Sequence, residues 1–131
     1  MSYRVYISHS VKDSELAKDL ARRLSEAGID TCRFNLDVVG DTNESASEWR
    51  EMIRMYVQSS DEVILLLTDN SADSPWLRYE MGVADSQDKR LTPVVVNEGV
   101  EQRVPMVGKY FVKYADLPKY ISSLKRRAEA A

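Results

Sequence analysis

The stretch "EVILLLT", Glu62–Thr68, sets five aliphatic residues in a row, Val63 to Leu67. Side chains of a strand alternate between the two faces of its sheet, so an unbroken apolar strand has to be covered on both. A sheet buried between two helical layers meets that demand, and parallel strands joined by crossover helices build one.

The remaining segments fit. "YRVYIS" (Tyr3–Ser8) has the β-branched and aromatic content of a strand. Leu16, Ala17, Leu20, Ala21, Leu24 and Ala27 then recur at three- and four-residue spacing, which predicts a helix with Asp13 capping its front and Gly28 at its end. "IDTCRF" (Ile29–Phe34) reads as a second strand. The polar stretch "NLDVVGDTNESAS" (Asn35–Ser47) is long for a βα connection, where about two to six residues are usual, and such a loop is functional or mobile. From about Glu48 a helix places Trp49, Met52, Ile53, Tyr56 and Val57 on one face, with Ser45 and Glu48 spaced as a capping box. Beyond the central strand and a helix opening at Ser74, "LTPVVV" (Leu91–Val96) is a fourth strand, its Pro93 signalling a bulge or a nearby edge. Residues 97–109 read as loop, "YFVKY" (Tyr110–Tyr114) as a fifth strand, and Leu117, Ile121 and Leu124 as the face of a closing helix. The alternation predicts an α/β fold: a five-stranded parallel sheet with helices on both faces and right-handed crossovers.

Bulk properties narrow the function. In 131 residues, 44% hydrophobic and 30% charged, there is room for one core, so a single domain spanning 1–131 is expected. A net charge of −3 gives nucleic acid no general attraction. The run Lys125-Arg126-Arg127 is expected to favour the negative end of a helix dipole rather than to bind a partner. Cys32, the one cysteine, reads as a buried structural thiol. With no signal-peptide pattern and no 18-residue apolar run, the expected location is cytoplasmic, away from membranes. No metal site is expected, and Asp69, Asp73 and Asp85 read as turn and solvent-face residues. His9 is the only histidine, and a Ser-His triad with Ser8 is disfavoured because adjacent strand residues point to opposite faces.

One side chain breaks the pattern. Ser74 is a good N-cap and Pro75 suits the first helical position. At about 100° per residue, Trp76, Leu77, Met81, Val83 and Ala84 then share an arc of roughly 160°, and Glu80 falls inside it. A carboxylate there is costly unless it is paired, hydrogen-bonded or open to a cleft. Ligands of such sheets bind at the carboxyl ends of the strands. Those ends are Ser8-His9, Phe34 and the loop after it, Thr68 to Ser74, and Asn97. Less than two turns into its helix, Glu80 is expected to lean toward that crevice rather than into the dry core.

Known phosphate motifs are missing. Neither G-x-G-x-x-G after the first strand nor G-x-x-x-x-G-K-[ST] occurs, which removes the Rossmann dinucleotide site and the P-loop. A phosphoacceptor receiver domain needs paired acids at the end of strand one, where this chain has Ser8 and His9.

"VYISHSVKDSELAKDLARRLSEAGI", a long loop containing Gly40-Asp41, "SSDEVILLLTDNSADSPWLRYEM" and "RLTPVVV" together resemble a Toll/interleukin-1 receptor (TIR) domain of the short bacterial style. The most specific pieces are "YISHS" and "SPWLRYE", the latter matching the family's S-x-W-x-x-x-E pattern. The resemblance implies a flavodoxin-like fold and, in one branch of the family, cleavage of NAD⁺ at the nicotinamide–ribose bond, sometimes with cyclisation of the ADP-ribose left behind. NAD⁺ is then a substrate, and no cofactor is implied. The pattern's glutamate falls on Glu80 as the catalytic residue and its tryptophan on Trp76. Ser8, His9, Phe34 and Trp76 are the expected substrate-lining residues. The resemblance also implies a role in bacterial immune (antiphage) or stress signalling, and partners that are other TIR domains or further copies meeting through loop 35–47.

The chain departs from the family pattern in places. Ser10 and Val11 stand where many active members carry an arginine, Asn35 where an aspartate is frequent, and Arg33 where a tryptophan is common; Arg33 is a substitute source of phosphate-binding charge. Two further readings stay open. One is a docking module in which Glu80 is structural, with Arg78 or Arg54 as its salt partner; the other is a nucleoside deoxyribosyltransferase-type enzyme with a nucleophilic glutamate.

Overall fold

Five parallel strands form one sheet in the order β2-β1-β3-β4-β5. They are β1 (Arg4–His9), β2 (Asp30–Asn35), β3 (Glu62–Leu67), β4 (Arg90–Val95) and β5 (Val112–Lys113), interleaved with α1 (Ser14–Glu26), α2 (Ala46–Gln58), α3 (Pro75–Ser86) and α4 (Leu117–Ala130). The computed structural model describes residues 2–35, 46–105 and 110–131, and the side chains of all of these except 34, 35, 46 and 47. Gly40, Asp41, the Ser45 capping box and most of the loop expected to mediate assembly lie outside the described residues.

The α/β arrangement read from the sequence is the one observed, with the 2-1-3-4-5 order of flavodoxin-like sheets. β3 is buried along its whole length, as its unbroken apolar run requires. Strand alternation sorts the core into layers. Val5, Ile7, Ile64 and Leu66 pack with α1 and α4 residues Leu20, Leu24, Leu117 and Leu124. Tyr6 and Val63 pack on the opposite face with Trp49, Ile53 and Val57 of α2 and Val83 and Ala84 of α3. Leu65, Leu67 and Val95 meet Leu77 and Met81 of α3.

Chain-reversal chemistry explains where the helices stop. Gly28 has φ of +82°, its N–H donates to Ser25 O and that of Ile29 to Leu24 O, both across 2.9 Å. This pair of bonds caps the last carbonyls of α1 with a left-handed residue that only glycine adopts freely. The same double bond closes α3 through Asp88 N–H to Asp85 O and Lys89 N–H to Ala84 O, with Asp88 at φ of +56°. Pro93 is tolerated because β5 pairs only with Val94 and Val95, leaving Pro93 beyond its reach.

Two expectations change. Asp13 precedes α1 but makes no side-chain cap bond. Its buried carboxylate instead accepts from Thr68 Oγ1 at 2.6 Å and Asn70 Nδ2 at 2.8 Å, tying the end of β1 to the end of β3. Arg127 does more than sit near a helix terminus. It forks onto Glu62, bonding its two oxygens at 2.8 and 2.9 Å, and Glu62 is fully buried and also accepts from Tyr3 Oη at 2.5 Å.

Candidate functional site

In this strand order the connection reverses direction between β1 and β3, and ligand crevices of open α/β sheets lie at the carboxyl ends there. β1 ends in Tyr6-Ile7-Ser8-His9. Residues two apart on a strand share a face, so Tyr6 and Ser8 both point toward the α2 and α3 layer.

On α3, Ser74 has extended backbone (φ −72°, ψ 127°) and Pro75 occupies the first turn, so the helix begins as the sequence indicates, although the Ser74 side chain makes no cap bond. From this start Glu80 points inward beneath β1. Ser8 Oγ donates to Glu80 Oε1 at 2.6 Å, and the Tyr6 hydroxyl donates to Oε2. Glu80 has no exposed surface. The sequence expectation of a carboxylate leaning into an open crevice is therefore corrected: strand residues Tyr6 and Ser8 cap both of its oxygens, and it lies in the buried layer.

Electrostatics follow from that placement. Burial pushes the Glu80 carboxyl up from 4.5 to about 7, while the Ser8 and Tyr6 hydroxyls, which favour the anion, hold it back from going further. Tyr6 in turn is raised well above its usual value, first by burial and then by the Glu80 charge. Its ring lies near parallel to that of Tyr56, with centroids 6.3 Å apart and planes at 19°. No arginine neutralises Glu80 among the described residues. Arg54 donates to Tyr79 Oη at 2.8 Å and pairs with Glu51, and Arg78 donates to Ala72 O at 3.2 Å. The salt partners expected of a purely structural Glu80 are thus engaged elsewhere.

The other expected site residues divide. Ser8 joins Glu80. Trp76, one turn earlier on α3, is half-buried, meets Tyr79 edge to face with centroids 6.0 Å apart, and packs against the Tyr6 layer. His9 is buried on the opposite face of the sheet, its Nδ1 2.8 Å from Ser10 O, so Ser8 and His9 do not line one surface. Arg33 shares the face of His9 and is not beside Glu80. The backbone of Phe34 pairs with Ser8, and its side chain is outside the described residues. Among described residues there is no cluster of three or more His, Cys, Asp or Glu able to hold a metal, and no helix long and apolar enough to cross a membrane.

Sequence reasoning missed Tyr6 and the Asp13–Thr68–Asn70 connection. Alternation along "VYIS" was enough to place Tyr6 on the face of Ser8; that its hydroxyl meets residue 80 needed the packing of α3. Asp69 and Asp73, read as solvent-face residues, are exposed and are bridged by Arg103 at 3.1 and 2.6 Å.

With this geometry the chain was compared with known proteins. It is 28% identical over 101 residues to a candidate cyclic ADP-D-ribose synthase, TIR2, of Cytobacillus dafuensis, an alignment covering 76% of this chain and 27% of that protein. The chain thus spans about a quarter of the length of that relative. Among solved structures it resembles the RPS4 and RRS1 TIR domain heterodimer (TM-score 0.65, 13% identity, 99% of this chain and 97% of that one). It also resembles the CMP N-glycosidase BcmB of Clostridium botulinum (TM-score 0.57, 17% identity, 92% and 97% of the two chains). Identities this low speak for the fold alone. The TIR domain family matches residues 5–129, nearly the full length, with the sheet order and the S-x-W-x-x-x-E helix both in place, and the chain belongs to the TIR domain family.

Proposed function

We propose that this domain cleaves NAD⁺ at the nicotinamide–ribose bond, releasing nicotinamide and leaving ADP-ribose or a cyclised form of it, with Glu80 as the catalytic carboxylate. The observation that carries the reading is an unneutralised acid held by two hydroxyls at the carboxyl end of β1, beside the strand-order reversal. The candidate synthase from Cytobacillus supports the substrate class.

The chemistry suits a single carboxylate. Nicotinamide departs with the C1′–N bonding pair as a neutral molecule, so the leaving group needs no general acid, unlike that of a glycosidase. What remains is positive charge developing on the ribose, which a preorganised anion in a water-poor site stabilises strongly. Water then adds to C1′ and loses a proton, or a nucleophilic atom of the adenosine half adds to C1′ and loses its proton, closing the ring. Glu80 is buried, so substrate engagement requires the packing over Tyr6 and Ser8 to open until a ribose hydroxyl reaches a carboxylate oxygen, each of which can accept a second hydrogen bond. Trp76, half-buried one turn away, would flank the sugar. On this reading the domain acts in bacterial immune or stress signalling, through assembly with other TIR domains.

The test is to incubate purified protein, dilute and concentrated, with NAD⁺ and to measure nicotinamide, ADP-ribose and cyclic products. Release by wild type that falls at least a hundredfold in Glu80→Gln is the expected result. Equal release by both proteins, or none from concentrated wild type, would overturn the reading. The second outcome favours a docking module, which the complete burial of Glu80 supports.

A further inference from the structure

A polar cavity lies on the sheet face opposite Glu80. Register pairs Val5 with Thr31 and Ile7 with Arg33, so Thr31 and Arg33 share the α1 face, and His9 continues that face at the end of β1. Ser14 and Lys18, four residues apart on α1, face them across the groove. These five residues line a cavity of about 350 Å³ that contains two cations, an imidazole, two hydroxyls and no carboxylate. Arg33 makes no ion pair among the described residues. The one partner of Lys18 there is Glu15 at 3.3 Å, with the two side chains 60% and 89% exposed, a pair that water and salt readily displace.

We propose that this cavity binds the phosphoryl group of a small phosphorylated molecule. The chain as a whole carries −3, so the positive lining is local and not a spillover of general basicity. The planar guanidinium of Arg33 matches two phosphate oxygens at once, Lys18 adds a mobile point charge, and the Ser14 and Thr31 hydroxyls donate to the remaining oxygens. The volume falls at the lower end of the roughly 300–1,000 Å³ typical of ligand pockets, which leaves room beside the phosphate for a sugar-sized group. The site stands apart from Glu80 and does not depend on the reading of that residue.

His9 provides the assay, because it is the only histidine and its ring signals in a proton NMR spectrum need no assignment. Pyrophosphate and ribose 5-phosphate are titrated separately into the whole protein, with sodium chloride at matched ionic strength as the control. A saturable shift of the His9 ring signals is expected from the phosphates and not from chloride. Arg33→Gln should weaken binding at least tenfold and Lys18→Gln several-fold; both residues are exposed, and the amide spectrum verifies that each variant is folded. Tighter binding of ribose 5-phosphate identifies an ester as the ligand, and tighter binding of pyrophosphate an inorganic polyphosphate; either upholds phosphoryl recognition. No saturable shift, the same shift with chloride, or undiminished binding when Arg33→Gln and Lys18→Gln are combined would sink the proposal.

Discussion

The Ser8 hydroxyl, near the end of β1, donates to the Glu80 carboxylate of α3 across 2.6 Å. With Tyr6 on the other oxygen, the acid is fully hydrogen-bonded and yet carries no counter-charge. Its proton affinity is therefore set by burial, which raises it, and by the two hydroxyls, which hold it back.

Stability should depend on pH through this residue. The folded carboxyl titrates at about 7 against 4.5 when exposed, so between these values the folded state holds a proton that the unfolded state has lost. The contribution is most favourable below pH 4.5, declines as pH rises toward 7 and is constant above it, a change of about 3 kcal/mol at about 1.4 kcal/mol per pH unit. Glu80→Gln removes the titration. Its melting temperature relative to wild type should be higher at pH 8 than at pH 5, and a difference independent of pH would show that Glu80 is not the titrating group.

Tyr6→Phe removes one of the two donors that hold the anion. It should cost about 1–3 kcal/mol, because a buried acceptor loses its partner. The same change should move the Glu80 titration, followed by carboxyl carbon NMR, further upward. A downward shift would mean that water reaches the vacated oxygen.

At the opposite end of the sheet, Arg127→Met strands the buried Glu62 carboxylate. A loss of about 2–3 kcal/mol is expected in denaturant unfolding, at or below the usual cost of breaking a buried pair because Arg127 keeps 27% of its side-chain surface exposed. Adding Glu62→Gln should recover much of it. Additive losses in the double variant would contradict the coupling.

Asp88 adopts φ of +56° at the end of α3, where a side chain is strained. Asp88→Gly keeps both capping bonds and should raise stability by about 0.5–1 kcal/mol, read as a shift in the urea midpoint with unchanged slope.

Much of the fold was legible because period and burial are local signals. The run at β3, the three- and four-residue spacing of α1 and α4, and the Gly28 stop each state their structure within a few neighbours. Side-chain partners far apart in sequence were not. Asp13 looked like a cap because capping residues precede helices, yet Thr68 and Asn70, 55 and 57 residues away, took its carboxylate. Arg127 looked like a dipole cation because Glu62, 65 positions away, is invisible to any local window.

The sequence by itself determined that a strand with five successive aliphatic residues sits at the centre of a parallel sheet, that a helix starts at Ser74–Pro75, and that this helix turns a glutamate toward its apolar side. Only the tertiary structure decided what that glutamate meets: the Tyr6 and Ser8 hydroxyls, 74 and 72 residues away, rather than solvent or an arginine. The division has a physical cause. Backbone propensity and amphipathic period act over a few residues, whereas the solvation of one carboxylate depends on every element packed around it.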